Sequence, residues 1–280
     1  MSDHTKVFIK RILGGTRLDS QGECFTKEDL ERYCSKAQGR QYLHTEHDMA
    51  LEPSGFVENL RVVPAEEVDG EWNLVGDVTV LSGTVTDAMK GFSISLTQRV
   101  ITREDSDAGI FLPYPFYNDA DYLEDFAADK NLDVGKWIKK SADPTIWALL
   151  LMGVGGAGSW LFQRFSDALF DEFFKRKVSP RLGEILDQTQ PKLIKNGIHL
   201  QMTVPVPIDG KIIEIRIIPS TEGSVGLTEE YVRDALRLAN DAVLEKQIHP
   251  GNLQRIVVGY RKDGTVAEVL RMDKRLDIEA

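Results

Sequence analysis

The stretch His199–Pro219, HLQMTVPVPIDGKIIEIRIIP, decides the fold class. Apolar and polar residues alternate on both sides of Asp209–Gly210, and a period of two is the side-chain period of a strand. Asp-Gly between two such runs is a preferred two-residue hairpin turn, because both residues tolerate a positive φ. A β-hairpin is therefore expected here. Further on, Thr228 is placed to cap a helix whose first turn carries Glu229 and Glu230, where carboxylates favour the helix dipole. A second hairpin is expected around Asp263–Gly264, joining IVVGYRK to TVAEVLRM. Residues 198–280 thus read as a small ββαββ domain.

Upstream, residues 121–197 read as a helical region. An acidic stretch, DADYLEDFAAD, reads as a solvated face and leads into TIWALLLMGVGGAGSWLF (residues 145–162), which contains 18 uncharged residues. That length is the lower edge of what crosses a bilayer. Basic residues on both flanks give no orientation, so a buried helix and a membrane-associated one are both open. From Trp160 to Lys177, Phe162, Phe165, Leu169 and Phe173 recur at three- and four-residue steps and predict one apolar helix face. Pro180 and Pro191 are expected to punctuate the chain beyond Lys177.

Residues 1–120 read as mostly β with one early helix. Strands are expected at Val7–Leu13, Gly55–Val63, Trp72–Leu81 and Phe92–Thr102, separated by Gly-containing turns. Thr26 and Asp29 form a carboxylate variant of the capping box for a helix over Lys27–Lys36. Leu112–Tyr117, LPYPFY, is expected to close this region as a stiff extended segment. The chain is accordingly expected to be α+β in three parts: a β-rich N-terminal domain, a helical middle and the C-terminal ββαββ domain.

Composition narrows the function. A chain of 280 residues buries a core without help from disulfides or metal. Lys and Arg number 34 against 44 Asp and Glu, a net charge of −10. With no dense basic run there is no general attraction for phosphate backbones, and nucleic acid is not an expected partner. Cys24 and Cys34 exclude a disulfide scaffold and a four-cysteine zinc site, and they suit a reducing compartment. Met1–Lys10 lacks the apolar core of a secretory signal. A cytoplasmic location is the expectation, with membrane association through 145–162 as the variant.

Three constellations could carry chemistry. Gly153-Val154-Gly155-Gly156-Ala157-Gly158 has the spacing of a dinucleotide-binding turn, but that turn needs a βαβ unit with a further parallel strand. The downstream pattern stays helical and no earlier sheet is evident, so close helix packing is the expected use. His44 and His47, with Glu46, Asp48 or Glu52, could start a metal site, although no third ligand stands at a telling distance. The third pairs His47 with Ser93. A serine attacks a carbonyl when a histidine takes its proton, and neighbouring strands could bring the two together. Ser93 and Ser95 could equally be small residues on one strand face.

DSQGECFTKEDLERY, LHTEHDMALEPSGFVENLRVV, WNLVGDVTVL and VTDAMKGFSISL, in that order, resemble the prohead (capsid maturation) protease superfamily of tailed phages, whose fold is shared with herpesvirus assemblins. The likeness covers about the first 110 residues. It consists of an opening turn and helix, a His-Asp segment followed by a glycine and a strand, a further strand, and a helix leading into a Gly-x-Ser strand. It implies a prohead-protease-like domain over 1–120, with His47 as general base and Ser93 as nucleophile. It also implies a serine endopeptidase without cofactor, acting on a viral or co-encoded protein as a homo-oligomer, in the host cytoplasm or the virion. The acidic third member would be Glu104, Asp105 or Asp107. The chain departs from the family in having Ser95 two residues after Ser93 and no histidine between Ser93 and His199. The second reading is therefore an inactive structural or assembly module of the same fold.

Overall fold

The computed structural model describes residues 6–18, 24–37, 39–43, 53–90, 94–104, 106–128, 131–140, 146–153, 161–164, 166–219, 226–260 and 267–275. The chain is α+β and divides into two compact units. One comprises residues 1–96, 138–144 and 276–280, and the other residues 97–137 and 145–275.

The first unit is built on a four-stranded antiparallel sheet. β1 (Lys6–Gly15) pairs with β4 (Trp72–Val80), β4 with β3 (Gly55–Pro64), and β3 with the short β2 (Gln41–Tyr42). Between β1 and β2 lies α1 (Lys27–Lys36), which begins where the capping box predicts. The Asp29 N–H donates to Thr26 Oγ1 at 3.1 Å, and the Thr26 N–H donates to Asp29 Oδ2 at 3.1 Å. After β4, the single-turn helix α2 (Val85–Lys90) precedes β5 (Ile94–Ile101). One core cluster joins Leu43, Val57, Val78, Val80 and Ala88, with Phe8, Leu13, Leu60 and Val85 packed against it.

The second unit is built on an eight-stranded mixed sheet. Its order is β12 (Ala267–Lys274), β11 (Leu253–Tyr260), β10 (Lys211–Ile218), β9 (His199–Ile208), β8 (Trp147–Met152), β6 (Ala108–Leu112), β7 (Leu132–Lys140) and β5. The β9–β10 hairpin turns at Asp209–Gly210, both at positive φ, with Lys211 opposite Ile208. α6 (Glu229–Glu245) starts at Thr228, whose side chain accepts from the Tyr231 N–H, and it packs on β10, β11 and β12. The element order β9–β10–α6–β11–β12 is the ββαββ pattern read from the sequence.

The middle of the chain needs a correction. It does hold the helices α3 (Ala120–Phe126), α4 (Asp167–Lys177) and α5 (Ser179–Lys195). It also holds two strands that its pattern concealed, β7 and β8. Within the apolar stretch 145–162, Trp147–Met152 is not helical but an interior strand, parallel to β9 on one side and antiparallel to β6 on the other. A strand covered on both faces needs apolar side chains at every position, so its sequence loses the alternation of a half-buried one. Among the described residues no helix is long and apolar enough to cross a membrane.

Two smaller expectations also change. The buried face of α4 is Phe170, Phe173 and Phe174, while Leu169 is exposed and Phe165 lies outside the described residues. Pro180 and Pro191 do not end the helical stretch. Pro180 occupies the first turn of α5, where no N–H partner is lost. Pro191 sits inside the helix on its exposed side, as does Asp187, whose carbonyl loses its partner. Over 112–117, the expected extended closure is instead the end of β6 followed by a 3-10 turn at Phe116–Asn118.

Candidate functional site

His47 and Ser93 both lie outside the described residues, as do His44, Glu46, Asp48, Glu52 and Asp105. Their stems are described, and both belong to the first unit. Leu43 precedes His47 by four residues, and its N–H donates to the Gly55 carbonyl at 2.9 Å. Gly55 opens β3 on the other side of the histidine segment. Ala88 in α2 precedes Ser93 by five residues and is buried in the same cluster as Leu43. Immediately after Ser93, Ile94 is buried so closely against β1 that a Cβ on Gly14 would stand 2.7 Å from Ile94 Cδ1. The residues before the two segments, Leu43 and Ala88, thus belong to one hydrophobic core.

Ser95 lies on β5, half-buried between the buried Ile94 and Leu96. Of the acidic candidates, Glu104 and Asp107 are described and belong to the second unit. Asp107 stands 4.0 Å from Arg181 Nε, and its carbonyl accepts the Gly153 N–H at 2.8 Å.

An acid that sequence reasoning passed over organises the first sheet. Asp77 sits mid-strand in the apolar run of β4 and faces an irregularity in each neighbouring strand. Lys10 in β1 and Asn59 in β3 have φ of 52° and 56°. The Lys10 N–H donates to Asp77 Oδ1 at 2.9 Å, and Asn59 Nδ2 donates to Oδ2 at 2.9 Å. One carboxylate therefore satisfies a donor from both bulges. The Lys10 N–H, then the Asn59 amide, hold the Asp77 carboxyl below the usual carboxylate range. A depressed folded-state pKa contributes stability that is present above the unfolded value and lost as pH falls through the folded one. Asp77→Asn should therefore flatten the acid limb of the melting temperature against pH, while leaving the neutral plateau lower. A parallel acid limb in variant and wild type would show that the carboxylate carries no such charge-dependent role.

The second unit carries a denser ionic layer. On β10, β11 and β12, Glu214 lies opposite Arg255 and Arg255 opposite Asp273, with Arg216 and Arg271 two residues along. Arg271 Nε is 2.8 Å from Asp273 Oδ1, both side chains being buried, and Glu214 Oε2 lies 3.1 Å from Arg255 Nε and 3.4 Å from Arg216. Burial would raise the Glu214 carboxyl, but Arg255 and Arg216 more than offset it and hold it low. For Asp273 burial wins over its arginines and pushes the carboxyl up, and burial likewise lowers Arg271. The alternation KIIEIRII is the available signal in the sequence, and by itself it marks only a strand.

Among the described residues no group of three or more His, Cys, Asp and Glu could hold a metal ion. Burial pushes the Cys34 thiol up, which disfavours the nucleophilic thiolate. Contrary to expectation, the glycine motif does stand between parallel strands of one sheet. β8 precedes it, and β9 follows α4 and α5 as a parallel neighbour. In a dinucleotide turn the helix opens at the glycines, whereas α4 begins at Asp167, and residues 154–160 lie outside the described residues.

Searches against protein-family models, curated proteins and solved structures find no match to this chain.

Proposed function

We propose that the chain is a serine endopeptidase of prohead-protease type, with Ser93 as nucleophile and His47 as general base, cleaving a viral or co-encoded protein. The supporting observation is that the stems of both segments share one core, Leu43 before His47 and Ala88 before Ser93. Both connections are short, since His47 follows Leu43 by four residues and Ser93 follows Ala88 by five. The helix–Gly-x-Ser–strand order of the resemblance is matched by α2 before and β5 after Ser93.

In this reading His47 takes the Ser93 hydroxyl proton as Oγ attacks the scissile carbonyl, and a tetrahedral oxyanion forms. Collapse expels the amine, which receives that proton from His47, and leaves an acyl-serine. Water then attacks with His47 again as base, releasing the acid and restoring Ser93.

The test compares wild type with Ser93→Ala, each purified and incubated alone and with its co-encoded neighbours, with intact mass followed over time. Cleavage by wild type that falls at least about 10³-fold in the variant is expected. Equal cleavage by both would move the nucleophile away from Ser93. No cleavage by wild type would instead favour the inactive assembly module.

A further inference from the structure

We propose that β1 is a docking edge for an extended segment of a partner protein in which acidic residues alternate with apolar ones. The proposal is independent of the peptidase reading.

β1 ends the first sheet, so its outer edge has no strand neighbour among the described residues. Its side chains do not look like those of an edge facing water. Phe8 and Leu13 pack on the core cluster. On the opposite face, Val7 stands across from Thr79 and Ile12 across from Val75. Residues directly opposed in an antiparallel pair share a face. Thr79 and Val75 are 4% and 1% exposed, whereas Val7 and Ile12 are 60% and 57% exposed, and Ile9 is 75% exposed. The buried positions Val75 and Thr79 on β4 thus give way to exposed apolar side chains on β1, on the face that also carries Asp77. A strand apolar on both faces is the pattern of one covered on both faces.

Charge selects the occupant. KVFIKRILGG carries Lys6, Lys10 and Arg11 and no carboxylate, in a chain of net charge −10. A second copy laid antiparallel along this edge would bring the cations of the two strands together, which is unfavourable. Lys10 works in the same direction, because a lysine on an edge strand opposes pairing with a second cationic edge. The cations keep the apolar strip from self-association without removing it. An acidic strand neutralises the cations, lays its apolar side chains over Val7 and Ile12, and gains main-chain hydrogen bonds. The Lys10–Glu66 ion pair at 3.7 Å, with both side chains largely exposed, is the weak kind that a partner carboxylate displaces.

The test uses the full chain and fluorescence anisotropy with three labelled peptides matched to the ten residues of β1. One alternates valine and glutamate, one alternates valine and lysine, and one has the first peptide's composition with its valines in a single block. The alternating acidic peptide is expected to bind at least roughly tenfold tighter than either other, and to weaken with salt. Lys10→Glu/Arg11→Glu should reverse the preference towards the lysine peptide, with circular dichroism confirming an unchanged fold. Equal binding of the block peptide would reduce the effect to charge alone and overturn strand docking. Binding of none, or equal binding of the lysine peptide, would overturn the proposal. So would a wild-type dimer that Ile9→Lys dissociates, because the occupant would then be a second copy.

Discussion

Replacing Asp273 with alanine is expected to destabilise the protein by about 3–5 kcal/mol, whereas Arg271→Met/Asp273→Leu together should leave stability unchanged or raise it by about 1–4 kcal/mol. The single change removes the carboxylate that pairs with Arg271, whose guanidinium is buried on β12 beside Arg255 and Arg216. The double change removes one charge of each sign. The remaining layer keeps its net charge, with Glu214 still between Arg255 and Arg216. The direction of the titrations agrees. Burial raises the Asp273 carboxyl against the pull of its arginines, so the charged form costs more to bury than its partners return. A group with a raised folded-state pKa contributes stability at low pH that is lost as pH rises through the folded value. At neutral pH the charged form of Asp273 therefore carries a burial cost, which an apolar pair of similar volume removes without leaving Arg271 behind. Urea unfolding with the midpoint and slope fitted separately measures both variants. A double variant as unstable as the single one would mean that the layer aligns β11 with β12 in a way hydrophobic packing does not replace.

What the sequence disclosed was local. The Thr26–Asp29 capping box, the Thr228 cap and the Asp209–Gly210 turn each depend on residues within a few positions, and each forms where expected. β8 was hidden because a six-residue apolar strand with a glycine after it has no periodicity to distinguish it from part of a helix. An 18-residue uncharged window merged that strand with the glycine-rich run after it. The ionic layer was hidden for a different reason. Glu214, Arg216, Arg271 and Asp273 occupy alternate positions that a single strand presents as a solvent face. Only the register of β10 on β11 and of β11 on β12 brings them together around Arg255. Asp77 was visible as a carboxylate within LVGDVTV, but its two partners are separated from it in sequence by 67 and 18 residues. As to the candidate site, the sequence orders its segments, and the fold adds the shared core that Leu43 and Ala88 enter.

That shared core makes Gly55 a position where one added methyl group disturbs both the fold and the candidate site. A Cβ on Gly55 would stand 2.2 Å from the Thr79 carbonyl oxygen and 3.3 Å from Val80 Cα. These are backbone atoms of the central strand and cannot rotate away, so β3 must separate from β4. Gly55→Ala is therefore expected to cost about 3 kcal/mol, the upper part of the range for overpacking. Gly70 supplies the comparison. It has a φ of +84° with nothing within 4 Å of the added Cβ, so Gly70→Ala costs only backbone strain, roughly 1–2 kcal/mol. The cost at Gly55 falls where it matters for chemistry. The Gly55 carbonyl receives the Leu43 N–H, and Leu43 is the last described residue before the segment that carries His47. If His47 is the base, a Gly55→Ala protein still folded at low temperature should lose cleavage there, while Gly70→Ala retains it. Equal losses of stability in the two variants would show that β3 and β4 have room to give, and that the histidine segment is not held by their close approach.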